Sequence, residues 1–231
     1  MFYPFLGCIF VENYLLKAKK YSVLAILFLL PITVYIFFAS GVNNFVKLPI
    51  LTQGVHELID FTDENGISVQ LQDRITVLGF FGNEVEKMKP NAFNLAHKIY
   101  KKNYQFDEFQ FIILVDKSQR EAVKQVKEKL KEIADPVNYK FAFGTPQAIS
   151  KVFSSLETNV LLNENEATNL VFIIDKERNL RGREKDENVG VLYGFDASNY
   201  AEINNKMSDD IKIVLAEYRL ALKKYKAKRE I

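Results

Sequence analysis

Three kinds of hydrophobic pattern alternate along this chain. The first is one long uncharged run. Residues 21–39, YSVLAILFLLPITVYIFFA, carry no charge, and the uncharged stretch continues to Val46. About 20 apolar residues in a helix span a hydrocarbon core about 30 Å thick. The second kind is short and β-rich. Ile75 to Phe81, Phe109 to Val115, Tyr139 to Phe143 and Leu170 to Ile174 are nearly continuous apolar runs, the pattern of strands buried on both faces. The third kind recurs at steps of three and four. Phe93, Ala96, Ile99 and Tyr100 mark one helix. Ala122, Val123, Val126, Leu130 and Ile133 mark a second, and Ile149, Val152, Phe153 and Leu156 a third. A last stripe runs through Ile203, Met207, Ile211, Val214, Tyr218, Leu222 and Tyr225.

Turn and cap chemistry punctuates these runs. Leu58 to Phe61 is expected as a short strand, and Asn65-Gly66 as a hairpin turn into a return strand where Ile67, Val69 and Leu71 alternate with polar residues. Pro90 is expected in the first turn of a helix. Ser118 and Glu121 have capping-box spacing. Thr145-Pro146 reads as a cap followed by a proline at the first helical position. Asn159 to Asn169 is a polar loop, Lys176 to Asn179 a turn, and Leu180 to Arg183 a returning strand. The order predicts an α/β fold with a central sheet, flanking helices and an N-terminal β-hairpin, preceded by one transmembrane helix.

Composition narrows the chemistry. The chain has 231 residues, 48% hydrophobic and 26% charged, as in a globular protein. A net charge of +2 gives no reason to invoke nucleic acid. The one cysteine, Cys8, rules out an internal disulfide, a CxxC pair and a cysteine-rich zinc site. Lys17, Lys19 and Lys20 precede the apolar run and Lys47 follows it, so the positive-inside rule places the N-terminus in the cytoplasm and the rest outside. The expected organisation is a cytoplasmic segment (1–20), a transmembrane anchor (21–41), a linker (42–54, with Asn43, Asn44 and Pro49) and an extracytoplasmic domain (55–231). Ala39-Ser40-Gly41 is also a passable cleavage site, although the run exceeds the usual signal-peptide core. Met1 to Leu16 is read as an interfacial segment or an upstream extension.

Several pieces together resemble the Sco/SenC family. They are Phe61-Thr-Asp-Glu-Asn-Gly66, Val77-Leu-Gly-Phe-Phe81, Lys87-Met88 with Asn91 ahead of a helix, and Phe172-Ile-Ile-Asp-Lys-Glu177 with Leu180-Arg-Gly182. The resemblance runs from about Val55 to the C-terminus and includes the anchor. It implies a thioredoxin-like fold, an inner-membrane anchor with a periplasmic domain, and a part in assembling cytochrome oxidase. The family's copper ligands are a CxxxC pair after the phenylalanine strand and a distant histidine. Here Asn83, Glu84 and Glu86 stand near the cysteine positions, and Glu166-Ala-Thr-Asn169 where the histidine would be. The resemblance therefore implies a degenerate member with no metal, cofactor or catalytic residue carried over. The expected function is a non-catalytic accessory role in a respiratory membrane complex through protein contacts, or a place as its structural subunit.

The remaining polar candidates each have an ordinary explanation beside the functional one. Glu84 and Glu86 have the makings of an acid–base pair in a non-thiol enzyme, but a helix start favours acidic groups anyway. His97 lies just past an apolar helix face and reads as a surface histidine. His56 has no visible partner. Asp116 and Asp175 end apolar strands at the edge where α/β proteins bind ligands, or simply cap loops. The basic tail, Lys223, Lys224, Lys226, Lys228 and Arg229, suits acidic lipid or a helix C-terminus.

Overall fold

The computed structural model describes the backbone of residues 5–40 and 47–229, and side chains of residues 19–38 and 47–221. It divides into two units, Met1–Phe45 and Val46–Ile231.

The first unit is one helix, α1 (Phe5–Ser40). Its stretch Lys19–Phe38 has a mean hydropathy of 2.3 with no residue buried, so it is long and apolar enough to cross a membrane or to serve as a signal sequence. The helix begins well before the expected span and carries Pro31 inside it.

The second unit is built on a mixed sheet. Its strands are β1 (Ile50–Thr52), β2 (Ile75–Gly82), β3 (Phe109–Asp116), β4 (Tyr139–Gly144), β5 (Thr168–Ile174), β6 (Leu180–Arg181) and β9 (Phe195–Asp196). The order is β1-β6-β5-β2-β3-β4, with β9 beside β5. β2, β3 and β4 run parallel, while β5 is antiparallel to β2. A separate hairpin joins β7 (Arg183–Asp186) to β8 (Gly190–Leu192).

Alternation along the central strands builds two cores. Val77, Phe81, Phe111, Ile113, Tyr139 and Phe141 face α2 (Val85–Leu95), α3 (Arg120–Lys131) and α5 (Ser208–Arg229). Leu78, Phe80, Ile112, Leu114 and Ala142 face α4 (Pro146–Ser154) and the segment from Val55 to Leu71. α2 continues through a π turn, Ala96–Tyr100, to Asn103, and a second π turn, Ile203–Met207, precedes α5. Ile203, Met207, Ile211 and Val214 of the last stripe are buried; the side chains of Leu222 and Tyr225 lie outside the described residues.

Four local expectations change. Ile50–Thr52, placed in the linker, is a strand paired with β6. The N-terminal hairpin is reduced to a turn with one bridge, Thr62 to Ser68, and Leu58 to Phe61 is not a strand. The Asp63 carboxylate accepts from the amides of Asn65 and Ile67, closing the turn with a side chain in place of a ladder. Pro90 sits inside α2, because the helix already begins at Val85. Ser118 and Glu121 form no capping box: Asp116 caps the 3₁₀ turn instead, accepting from the Ser118 amide at 2.9 Å. Thr145 does cap α4, accepting from the Ala148 amide.

Candidate functional site

At the C-terminal ends of β2 and β3 the chain turns into helices, and the expected loop Gly82 to Lys89 shrinks there to a tight turn, Asn83-Glu84, between β2 and α2. Gly82 has φ +46, and an added Cβ would come within 1.9 Å of the Asn165 carbonyl oxygen. Only glycine allows the two backbones to approach this closely. The Asn83 amide donates to that same carbonyl at 2.9 Å.

Side chains complete the closure. The Glu84 carboxylate accepts from the side-chain amides of Asn163 at 2.9 Å and Asn165 at 3.0 Å, and from Lys87 at 3.2 Å. The Asn163 hydrogen bond holds the Glu84 carboxyl below its ordinary range against the opposing effect of burial, with Lys87 and Asn165 adding to it. On the other side, Asn83 Oδ1 accepts from Ser118 Oγ at 3.2 Å and Gln119 Nε2 at 2.5 Å. Beneath, Asn91 donates to Asn169 at 2.9 Å. The position of the expected redox loop is thus a closed amide and carboxylate network.

A small cleft of about 200 Å³ opens beside it, lined among others by Asn83, Asp116, Pro146, Glu164 and Glu166. Ser150 donates to Glu166 at 2.5 Å. Burial opposes ionisation of Asp116, but hydrogen bonds from Ser118 outweigh it and lower its pKa.

Glu84 and Glu86 do not act as a pair. Glu84 turns to the 163–165 loop, whereas exposed Glu86 pairs with Lys89. His97 is exposed, and His56 is exposed with its amide donating to Ser155. Asp116 and Asp175 lie at opposite ends of the sheet. Because β5 runs antiparallel to β2, its C-terminal end faces away from the Gly82 loop. Asp175 instead pairs with Arg181 at 3.0 Å. Arg181 also binds Glu217 and the Leu48 carbonyl. Of the residues that close the site, the sequence marks Ser118 only as a helix cap and does not single out Asn163, Asn165 or Gln119. The one hint was Asn-x-Asn in a polar loop, a common turn chemistry.

Copper does not fit these groups. Cu(I) prefers thiolate, thioether and imidazole donors, whereas the turn at Asn83 and Glu84 offers oxygens already engaged by amides, and the Met88 thioether is buried in the core, where it accepts from Asn91. Among the described residues no three or more His, Cys, Asp or Glu side chains gather in a way that could hold a metal ion.

No protein-family profile matches the chain, and no curated protein matches it. Solved structures do. A Sco-family cytochrome c oxidase assembly protein with a disulfide switch superposes with TM-score 0.51 at 12% identity, covering 74% of this chain and 98% of that one. A SCO1/SenC family lipoprotein from Bacillus anthracis gives TM-score 0.50 at 15% identity, covering 74% and 99%. The fold is thioredoxin-like. Sco/SenC proteins are thus structural neighbours of this thioredoxin-like chain, in accord with the sequence resemblance. One cysteine in the whole chain fits a degenerate form of that fold.

Proposed function

We propose that this chain is a Sco-like, membrane-anchored accessory protein with no thiol, copper or other enzymatic chemistry of its own. It assists assembly or stability of a respiratory, cytochrome oxidase-type complex through protein contacts. On this reading residues 1–20 are cytoplasmic, 21–41 span the inner membrane, 42–54 lead out of it, and 55–231 form the periplasmic domain.

One observation carries the proposal. The thioredoxin-like scaffold is intact, yet its redox loop is replaced by a satisfied network around Asn83 and Glu84. A network whose hydrogen bonds are filled internally has little left with which to bind a metal. What it leaves outside is a polar surface, and Leu161, two residues before Asn163 in the chain, is 85% exposed.

The test is a Cu(I) titration of the full chain in detergent, with a C8S variant to remove the remaining thiol. No stoichiometric sub-micromolar binding is expected in either. Such binding in C8S would overturn the proposal. Affinity purification in detergent then separates the roles. Transient, substoichiometric oxidase components mark an assembly factor, and a constant stoichiometry would mark a structural subunit.

A further inference from the structure

A cavity of about 260 Å³ lies on the far side of α4, lined by His56, Asp60, Lys151 and Arg178 among others. A water takes about 30 Å³ of liquid volume, so a small ion with its hydration fits. Arg178 is the anomaly there. Its Nε is buried with no hydrogen-bond partner, and its guanidinium makes no ion pair among the described residues. An arginine has five N–H donors and always carries its charge. A buried donor left without a partner is destabilising, and more so when charged.

The backbone fixes this arginine in place. Arg178 has φ +62 in the turn after β5. Its amide donates to the Asp175 carbonyl at 3.0 Å, and its own carbonyl accepts from Val55 at 2.8 Å. Glu57 and Asp60 line the same cavity, but neither forms an ion pair with Arg178. Both Glu57 oxygens are taken by the backbone amides of Leu58, Leu71 and Gln72. Asp60 is exposed and lies within ion-pair distance of neither Lys151 nor Arg178. Lys151, from α4, likewise has no carboxylate partner among the described residues.

We propose that His56, Lys151 and Arg178 form an oxyanion site that takes a phosphate group, either free or carried on a lipid headgroup. Donors on three separate segments suit a tetrahedral anion, whose several oxygens reach them together. The Arg178 fork supplies two parallel N–H donors of the kind phosphate accepts. A second cavity of about 470 Å³ shares His56 and Lys151 and leaves room for whatever the phosphate is attached to; its acid, Glu157, is exposed.

The experiment uses the full chain and two probes. In a maltoside detergent, the thermal midpoint and ³¹P line width are followed with inorganic phosphate against chloride at equal ionic strength. In nanodiscs, phosphatidylcholine alone is compared with phosphatidylcholine containing phosphatidic acid. A phosphate-dependent rise in midpoint that is lost in R178Q supports a soluble phosphate ligand. A rise with phosphatidic acid alone, again lost in R178Q, supports the headgroup. R178K keeps the charge without the fork and is expected to bind about tenfold more weakly. K151Q, on a different element, should weaken binding as well and guards against a folding defect in R178Q. No rise with either probe overturns the site. So does a rise that survives both R178Q and K151Q, which the basic tail would produce by charge alone.

Discussion

At the residue scale, Gly82 decides the character of the loop. Its φ of +46 and the Asn165 carbonyl 1.9 Å from a would-be Cβ give two independent reasons for glycine. G82A is expected to destabilise the domain by at least about 2 kcal/mol, read from urea unfolding. Unchanged stability would mean that the 163–166 loop does not rest on Gly82 in solution. Arg181 makes the contrasting case. It is 3% exposed, yet its donors meet Asp175, Glu217 and the Leu48 carbonyl. Burial pulls its pKa down, but the two carboxylates outweigh this and raise it. It therefore fastens the segment before β1, the turn after β5 and α5 to β6 as a partnered charge. Arg178, a few residues away, has no such partners among the described residues, and that difference separates a structural arginine from a candidate ligand-binding one.

At the element scale, the loop carrying Asn163 and Asn165 is held down largely by Glu84. The Glu84 pKa is lowered in the folded protein. Its contribution is therefore fully present above the unfolded glutamate value of about 4.3 and is lost as pH falls through the lower folded value. Hydrogen exchange in residues 159–167, measured relative to the rest of the domain, should accelerate below about pH 4. In E84Q the loop should already exchange faster at neutral pH and show a flatter acid response. Equal pH profiles in the two proteins would show that Glu84 does not hold the loop. This contact was illegible in the sequence, since Glu84 and Asn163 are 79 positions apart and nothing in either local pattern points to the other. By contrast, β2, β3, β4 and the Thr145 cap were legible because their signals are local: continuous apolar runs and a hydroxyl before Pro146. The short strands were missed for the opposite reason. Ile50–Thr52 follows Pro49, and the β7–β8 hairpin is mostly exposed, so neither shows the pattern of a buried strand. Asp175 does cap the turn after β5, accepting from the Glu177 and Asn179 amides, but at the end of the sheet away from Gly82, because apolar patterning marks a strand without giving its direction.

At the scale of the whole molecule, the apolar N-terminal helix and the cysteine count make one argument. The apolar stretch Lys19–Phe38 is 20 residues long, enough to span a bilayer. On the proposed reading, the lysine bias, three before the uncharged run and one after, places the thioredoxin-like domain outside the cytoplasm. Proteins in that compartment commonly rely on disulfides for stability, but this domain contains no cysteine at all. Its stability must come from its two cores and its ion pairs, and it should not depend on the redox environment. Two measurements follow. A C-terminal alkaline phosphatase fusion, active only outside the cytoplasm, should be active, and a fluorescent-protein fusion that matures inside should be dark. The unfolding midpoint of the full chain should be the same with and without reductant. A dark phosphatase would reverse the orientation and with it the respiratory reading, because the domain would then face away from the periplasmic side where that reading places its partner. A midpoint sensitive to reductant would point instead to an intermolecular bond through Cys8, making the first segment part of an assembly interface.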